Sequence, residues 1–151
     1  YLYMLNKTNK ETEQNMDKAT TEAIDKFKAI VFKDYEAFQY GMWRKDIKEK
    51  PQLTDHYNKL AEEAITKFKN GFSMSETKYY YKFIAEGGGV HTFIVKEDQE
   101  IRRKEWKRGD ILKPAGFNTP ALNKPRGNIF GEYKVQWTGP LYLKGPKYFT
   151  M

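Results

Sequence analysis

The chain has 151 residues, 39% of them hydrophobic and 16% aromatic, enough apolar material for one folded domain with a core and too much for a disordered tail. Cysteine is absent and only His56 and His91 supply imidazoles, which excludes disulfide scaffolds, thiolate metal sites and cysteine nucleophiles and argues against transition-metal catalysis. The 27 Lys and Arg against 20 Asp and Glu leave a formal charge of +7, a balance that suits a polyanionic partner.

That charge is concentrated. Residues 1–75 carry 13 basic and 12 acidic side chains, residues 76–151 carry 14 and 8, and Ile101 to Arg126 alone holds eight against two, a net of +6. The longest apolar run, Tyr1 to Leu5, is far short of the roughly 20 residues of a membrane-spanning helix. No basic start followed by a long apolar segment and a small-residue cleavage site marks a secretory leader. The expectation is a soluble cytosolic protein that makes no membrane contact.

The polar stretch Asn6-Lys7-Thr8-Asn9-Lys10 that follows Met4 reads as an ordinary flexible N-terminus. From about Glu11 to Tyr40 there is neither Pro nor Gly, and Ala23, Ile24, Phe27, Ile30, Val31, Tyr35 and Phe38 recur at helical spacing, which predicts an amphipathic helix ended by Gly41. A basic linker through Arg44, Lys45, Lys48 and Lys50 to Pro51 follows. Thr54 is the predicted N-cap of a second helix, along which Tyr57, Leu60, Ala61, Ala64, Ile65 and Phe68 fit the same template up to Asn70-Gly71. The short connection predicts a helical hairpin.

After Ser75 the period changes to two. Lys78 to Glu86 and Val90 to Lys96 are rich in aromatic and β-branched residues around Gly87-Gly88-Gly89, which predicts a β-hairpin with partial cover on both faces. Further strands are predicted at Asp110 to Lys113, Tyr133 to Trp137 and Leu141 to Leu143. Pro114 to Asn128, with three Pro and two Gly, is a long loop of the kind that carries function or moves. The predicted class is α+β, an N-terminal helical hairpin packed on a small curved antiparallel sheet of four to five strands, in a single domain.

The segments Lys78-Tyr79-Tyr80-Tyr81-Lys82-Phe83, Phe93-Ile94-Val95-Lys96, Gly109-Asp110-Ile111-Leu112-Lys113, Pro120-Ala121, Arg126-Gly127-Asn128-Ile129-Phe130 and Trp137-Thr138-Gly139-Pro140 resemble a small family encoded by tailed bacteriophages. The resemblance covers roughly residues 68–143 and leaves the N-terminal helices without a signature. In the charged segment Glu97 to Lys107 the chain departs from it, being longer and more basic. The family has no assigned activity, so the resemblance implies a phage accessory protein acting in the cytoplasm of an infected bacterium and transfers no catalytic residue.

Arg102-Arg103-Lys104-Glu105-Trp106-Lys107-Arg108 is the leading candidate site, because clustered cations neutralise successive phosphates and Trp106 offers a ring for an exposed base. The competing reading is a solubilising hairpin with Trp106 turned into the core. Lys113, Phe117, Lys124 and Arg126 extend the candidate surface, against a reading in which Arg126 pairs with Asp110 or Glu132 and the loop wraps a sheet edge. Gly87-Gly88-Gly89 lies between strands and lacks the Lys-Ser/Thr of a phosphate loop, so it reads as a turn. His91 has no identifiable nucleophile or carboxylate to work with, and the Tyr79 to Phe93 aromatics read first as core. No catalytic residue, metal ligand or cofactor is assigned. The expected partner is nucleic acid or a nucleic-acid-bearing host complex; the alternatives are a module that inhibits a host enzyme or defence complex, and a minor virion component.

Overall fold

A computed structural model describes residues 16–143; the expected flexible N-terminus and the predicted helical residues 11–15 lie outside them. Helix α1 (Lys18–Glu49) is capped by Asp17, whose Oδ1 accepts the Thr20 backbone N–H at 2.8 Å. It does not end at Gly41. A single glycine costs a helix about 1 kcal/mol, and here good helix formers follow it while Trp43 stacks on Tyr57 of the partner helix at 5.2 Å. Arg44, Lys45 and Lys48 are therefore helical rather than linker. The stop is Pro51, which forces Lys50 out of the helical region to φ −131° and ψ 69°.

Pro51–Leu53 forms a 3₁₀ turn that runs directly into helix α2 (Thr54–Gly71). Thr54 is the first helical residue and not the N-cap; its hydroxyl donates to the Pro51 carbonyl at 2.6 Å. Gly71 closes the helix as predicted and admits a close approach, since a Cβ there would lie 2.7 Å from Glu86 Cβ.

The architecture is α+β. Strands β1 (Ser73–Glu76), β2 (Tyr80–Ile84), β3 (Val90–Val95) and β6 (Ile111–Leu112) form an antiparallel sheet in the order β1-β2-β3-β6. Two ribbons accompany it, β4 (Gln99–Ile101) with β5 (Lys104–Trp106), and β7 (Lys134–Gln136) with β8 (Gly139–Leu141). The predicted strands Tyr133 to Trp137 and Leu141 to Leu143 thus belong to a separate ribbon, the second shifted to Gly139–Leu141. Strand β1 escapes the sequence pattern because Met74 is its one apolar residue among Ser73, Ser75 and Glu76.

Both sheet faces are covered. Phe83, Ile94, Met74 and Ile111 meet Ile24, Phe27 and Val31 of α1 and Phe68 and Phe72 from α2 and its exit. The opposite face, with Tyr80, Phe93, Val95 and Leu112, is roofed by Ile101 and Trp106 of the β4–β5 ribbon. Register accounts for this division, since Tyr81 faces Ile94 and Phe83 faces Met74, while Tyr80 faces Val95. The β7–β8 ribbon is tied to α1 where the Trp137 N–H donates to Asp34 Oδ2 at 2.8 Å.

Several of the quoted motif residues pack against each other. Gly109 holds φ +88°, and a Cβ there would meet Phe130 Cδ2 at 2.6 Å. Asp110 accepts the Lys107 N–H at 2.8 Å and the Asn128 amide at 3.1 Å, and burial pushes its carboxyl pKa up. The Arg126 N–H donates to the Ile111 carbonyl at 2.7 Å and the Ile111 N–H to Gly127 at 2.9 Å, so the end of the long loop is laced along β6.

Candidate nucleic-acid interface

The basic segment is a two-stranded hairpin. Gln99 faces Trp106, Glu100 faces Glu105 and Ile101 faces Lys104, leaving Arg102 and Arg103 as the two-residue turn. Both arginines hold positive φ, 50° and 65°, as a type I′ turn requires of its two central residues. These are the only non-glycine residues in that region among those described. Asn-Gly is the favoured occupant, and each non-glycine residue in the left-handed region costs about 1 kcal/mol or more.

The two faces of the hairpin differ in charge. Glu100 and Glu105 lie opposite each other on the exposed face. Ile101, Trp106 and Lys104 share the other face, and the Lys104 ammonium reaches over to the Asn123 carbonyl. Glu97 to Lys107 as a whole holds four basic and four acidic side chains, so its positive character comes from the placement of Arg102, Arg103 and Lys104 at the tip rather than from an excess.

Lys104 joins the tip to the long loop, where Asn123 Nδ2 donates to Tyr142 Oη at 3.2 Å and Arg126 Nη2 donates to the same oxygen at 2.6 Å. The Lys124 ammonium lies 4.6 Å from the Tyr142 ring centre. The cations of the loop thus gather on one exposed ring, which belongs to Tyr142 and not to Trp106, and Lys104 links them to the Arg102-Arg103 turn.

The remaining predicted residues are placed elsewhere or differently. Trp106 is 2% exposed, packed with Tyr80, Phe93, Val95 and Leu112, which leaves its ring no face for a base; its position across from Gln99 turns it onto the sheet. Arg108 is a structural tie, because Nη2 donates to both Asp17 carboxylate oxygens at 3.0 and 2.9 Å and to the Thr20 hydroxyl at 2.6 Å, with the guanidinium 4.5 Å from the Phe130 ring centre. The Asp17 pKa is held down first by its hydrogen bonds to Thr20 and then by Arg108. Lys107 and Lys113 are exposed. Arg126 pairs with neither Asp110 nor Glu132 but lies on Tyr142. Phe117 is 57% exposed, over the ammonium of Lys82 at 3.5 Å.

Tyr142 and Lys82, which sequence reasoning did not place in the site, shape this surface together with Asn123 of the long loop. Tyr142 carried no motif, whereas Asn123 belongs to the long loop already read as suited to a partner interface; Asn123 and Arg126 converge on the Tyr142 oxygen. Lys82, in the middle of β2, is buried on the sheet face, where its ammonium donates to Asn118 Oδ1 at 3.1 Å and so pins the tip of the long loop. Burial pushes its pKa down. The alternation of Tyr80, Lys82 and Ile84 along one face is the signal that places it there.

The chain matches no protein-family model, no curated protein and no solved structure. Among the described residues no helix is long and apolar enough to cross a membrane, and no cluster of three or more His, Asp and Glu is placed to hold a metal ion.

His91 is a core histidine. A register shift between Phe83 and Ile84 marks a bulge that puts His91 and Thr92 on the helical side together. Nε2–H donates to the Gln136 carbonyl at 2.9 Å, so Nδ1 accepts from the Thr92 hydroxyl at 2.7 Å. Burial, partly offset by the backbone carbonyls, lowers its pKa from 6.5. In the window just below that value the unfolded chain binds a proton that the fold does not, so stability falls as pH drops through 6.5 and levels off below the folded-state pKa. Urea denaturation from pH 7.5 to 5 checks this against His91→Gln, whose profile is expected to be flatter over that range.

Proposed function

We propose that this chain is a non-enzymatic bacteriophage accessory protein, acting in the cytoplasm of an infected bacterium, that binds nucleic acid through the tip of the β4–β5 hairpin. The observation that carries the reading is the Arg102-Arg103 turn. Two long cations stand where backbone geometry favours Asn-Gly, and a position held against local preference is one that a ligand contact accounts for. Lys104 and Lys124 beside it widen the surface to the span of several phosphates, while Glu100 and Glu105 face away. The resemblance of residues 68–143 to a phage-encoded family supports the setting.

Cation-to-phosphate contacts carry no base information, so binding is weakly sequence-specific and salt-dependent. With about four phosphates neutralised, affinity for a duplex falls roughly 100-fold between ~50 and ~200 mM salt. Fluorescence anisotropy with a labelled oligonucleotide at several salt concentrations measures this; absent or salt-independent binding overturns the reading. A protein-interaction module that inhibits a host enzyme or defence complex is the second reading, favoured by Phe117, the most exposed of the large hydrophobic side chains among the described residues. Capture from a bacterial lysate that survives nuclease treatment selects it over the first.

A further inference from the structure

Arg126 is the one arginine buried among the described residues, 5% exposed, and its charge is not answered by an acid there. Its guanidinium carbon lies 3.3 Å from the Tyr142 ring centre, and Nη2 donates to the phenol oxygen. The buried Nε–H has no hydrogen-bond partner among the described residues. No carboxylate among them forms an ion pair with it. A desolvated cation without a counter-charge is costly, and a neutral phenol is a weak substitute for an anion.

The phenol oxygen also receives the Asn123 amide at 3.2 Å, and the Lys124 ammonium stands 4.6 Å from the ring centre. Two converging N–H donors and a second cation form the set of contacts that a phosphate oxygen takes. The occupant lies at the surface: Tyr142 is 43% exposed and follows Leu141, the last paired residue of β8.

Resting on the nucleic-acid reading above, we infer that Arg126, Asn123 and Lys124 form a phosphate-binding site that Tyr142 closes in the free protein and vacates when a phosphate enters. Backbone phosphodiester and free phosphate share this chemistry, and they are separated by the ligand used.

The test follows the Arg126 Nε–H resonance of the full chain by ¹⁵N NMR, with inorganic phosphate in one titration and a single-stranded oligonucleotide in another. A saturable shift of Arg126 Nε–H with either ligand, accompanied by a change in the Tyr142 ring signals, is expected. A response to the oligonucleotide alone assigns the site to backbone phosphate, and a response to both assigns it to phosphate generally. Tyr142→Phe, which removes the competing oxygen and keeps the ring, should bind several-fold tighter, and Arg126→Lys should lose the saturable change in the Tyr142 ring signals while keeping a dispersed spectrum. An Arg126 Nε–H unmoved by both ligands, or a Tyr142→Phe variant that binds no tighter, overturns the inference whether or not Arg126→Lys folds. If oligonucleotide binding depends on Arg102 and Arg103 while Arg126 stays silent, the nucleic-acid reading stands without this site. If phosphate shifts Arg126 and no oligonucleotide binds, the site stands without that reading.

Discussion

Replacing Arg102-Arg103 with Asn-Gly is expected to weaken nucleic-acid binding roughly 10- to 30-fold, at about 1 kcal/mol for each exposed charge contact removed, and to raise the stability of the fold. The two effects have opposite signs because they arise from different atoms. In the proposed reading the guanidinium groups contact phosphate, whereas the strain is in the backbone, where the two residues hold φ values of 50° and 65°. Asn-Gly adopts those angles at little cost, so the gain is about 1–2 kcal/mol, or a rise in Tm of roughly 2–8 °C for a chain of this size. The slope of log affinity against log salt should flatten by about 2. Calorimetry and anisotropy on the same preparation check both halves. The double substitution Arg102→Lys with Arg103→Lys keeps the charge and the strain and should change neither quantity much. A turn variant that loses stability, or that binds as tightly as the parent, removes the basis for assigning the hairpin a ligand.

Phe27→Ala carries the largest expected loss of stability. Phe27 is fully buried at the point where three units meet, with ring centres 5.3 Å from Phe83 of the sheet, 6.2 Å from His91 and 5.8 Å from Tyr133 at the entry to β7. Truncating such a side chain removes its apolar burial and leaves a cavity between helix and sheet, at a cost of about 3–5 kcal/mol. Against a total of about 5–15 kcal/mol for a typical domain, that is a large fraction. Tyr40→Ala, on the exposed side of the same helix, should stay within about 0.5 kcal/mol. Urea denaturation of the pair measures the difference. Near-equal values would mean that α1 is not docked through Phe27.

The elements best read in the sequence are those whose periodicity is strong and whose turn chemistry is local. The second helix, with Ala61, Ile65 and Phe68 on one stripe, and the glycine turn between β2 and β3 both lie where the residues placed them. Short or polar strands were harder. Strand β1 shows no alternation in Ser-Met-Ser-Glu, because its pairing with β2 supplies what its side chains do not. Gly41 misled because its local cost is smaller than the packing around Trp43 and Tyr57, which no window of sequence contains.

For the candidate site, composition alone located the charge, in Ile101 to Arg126, and the α+β class followed from helical periodicity giving way to alternation. Which cations act together was decided by tertiary structure. Arg108 is spent on Asp17, 91 residues away, and Trp106 is drawn into the core by the register of a three-residue strand. Tyr142 joins the surface through its contact with Arg126, 16 residues away, and Asn123 through its bond to the same Tyr142 oxygen. Charge is additive along a chain and can be counted there. Whether it is paired, buried or displayed depends on neighbours that only folding brings within a few ångströms.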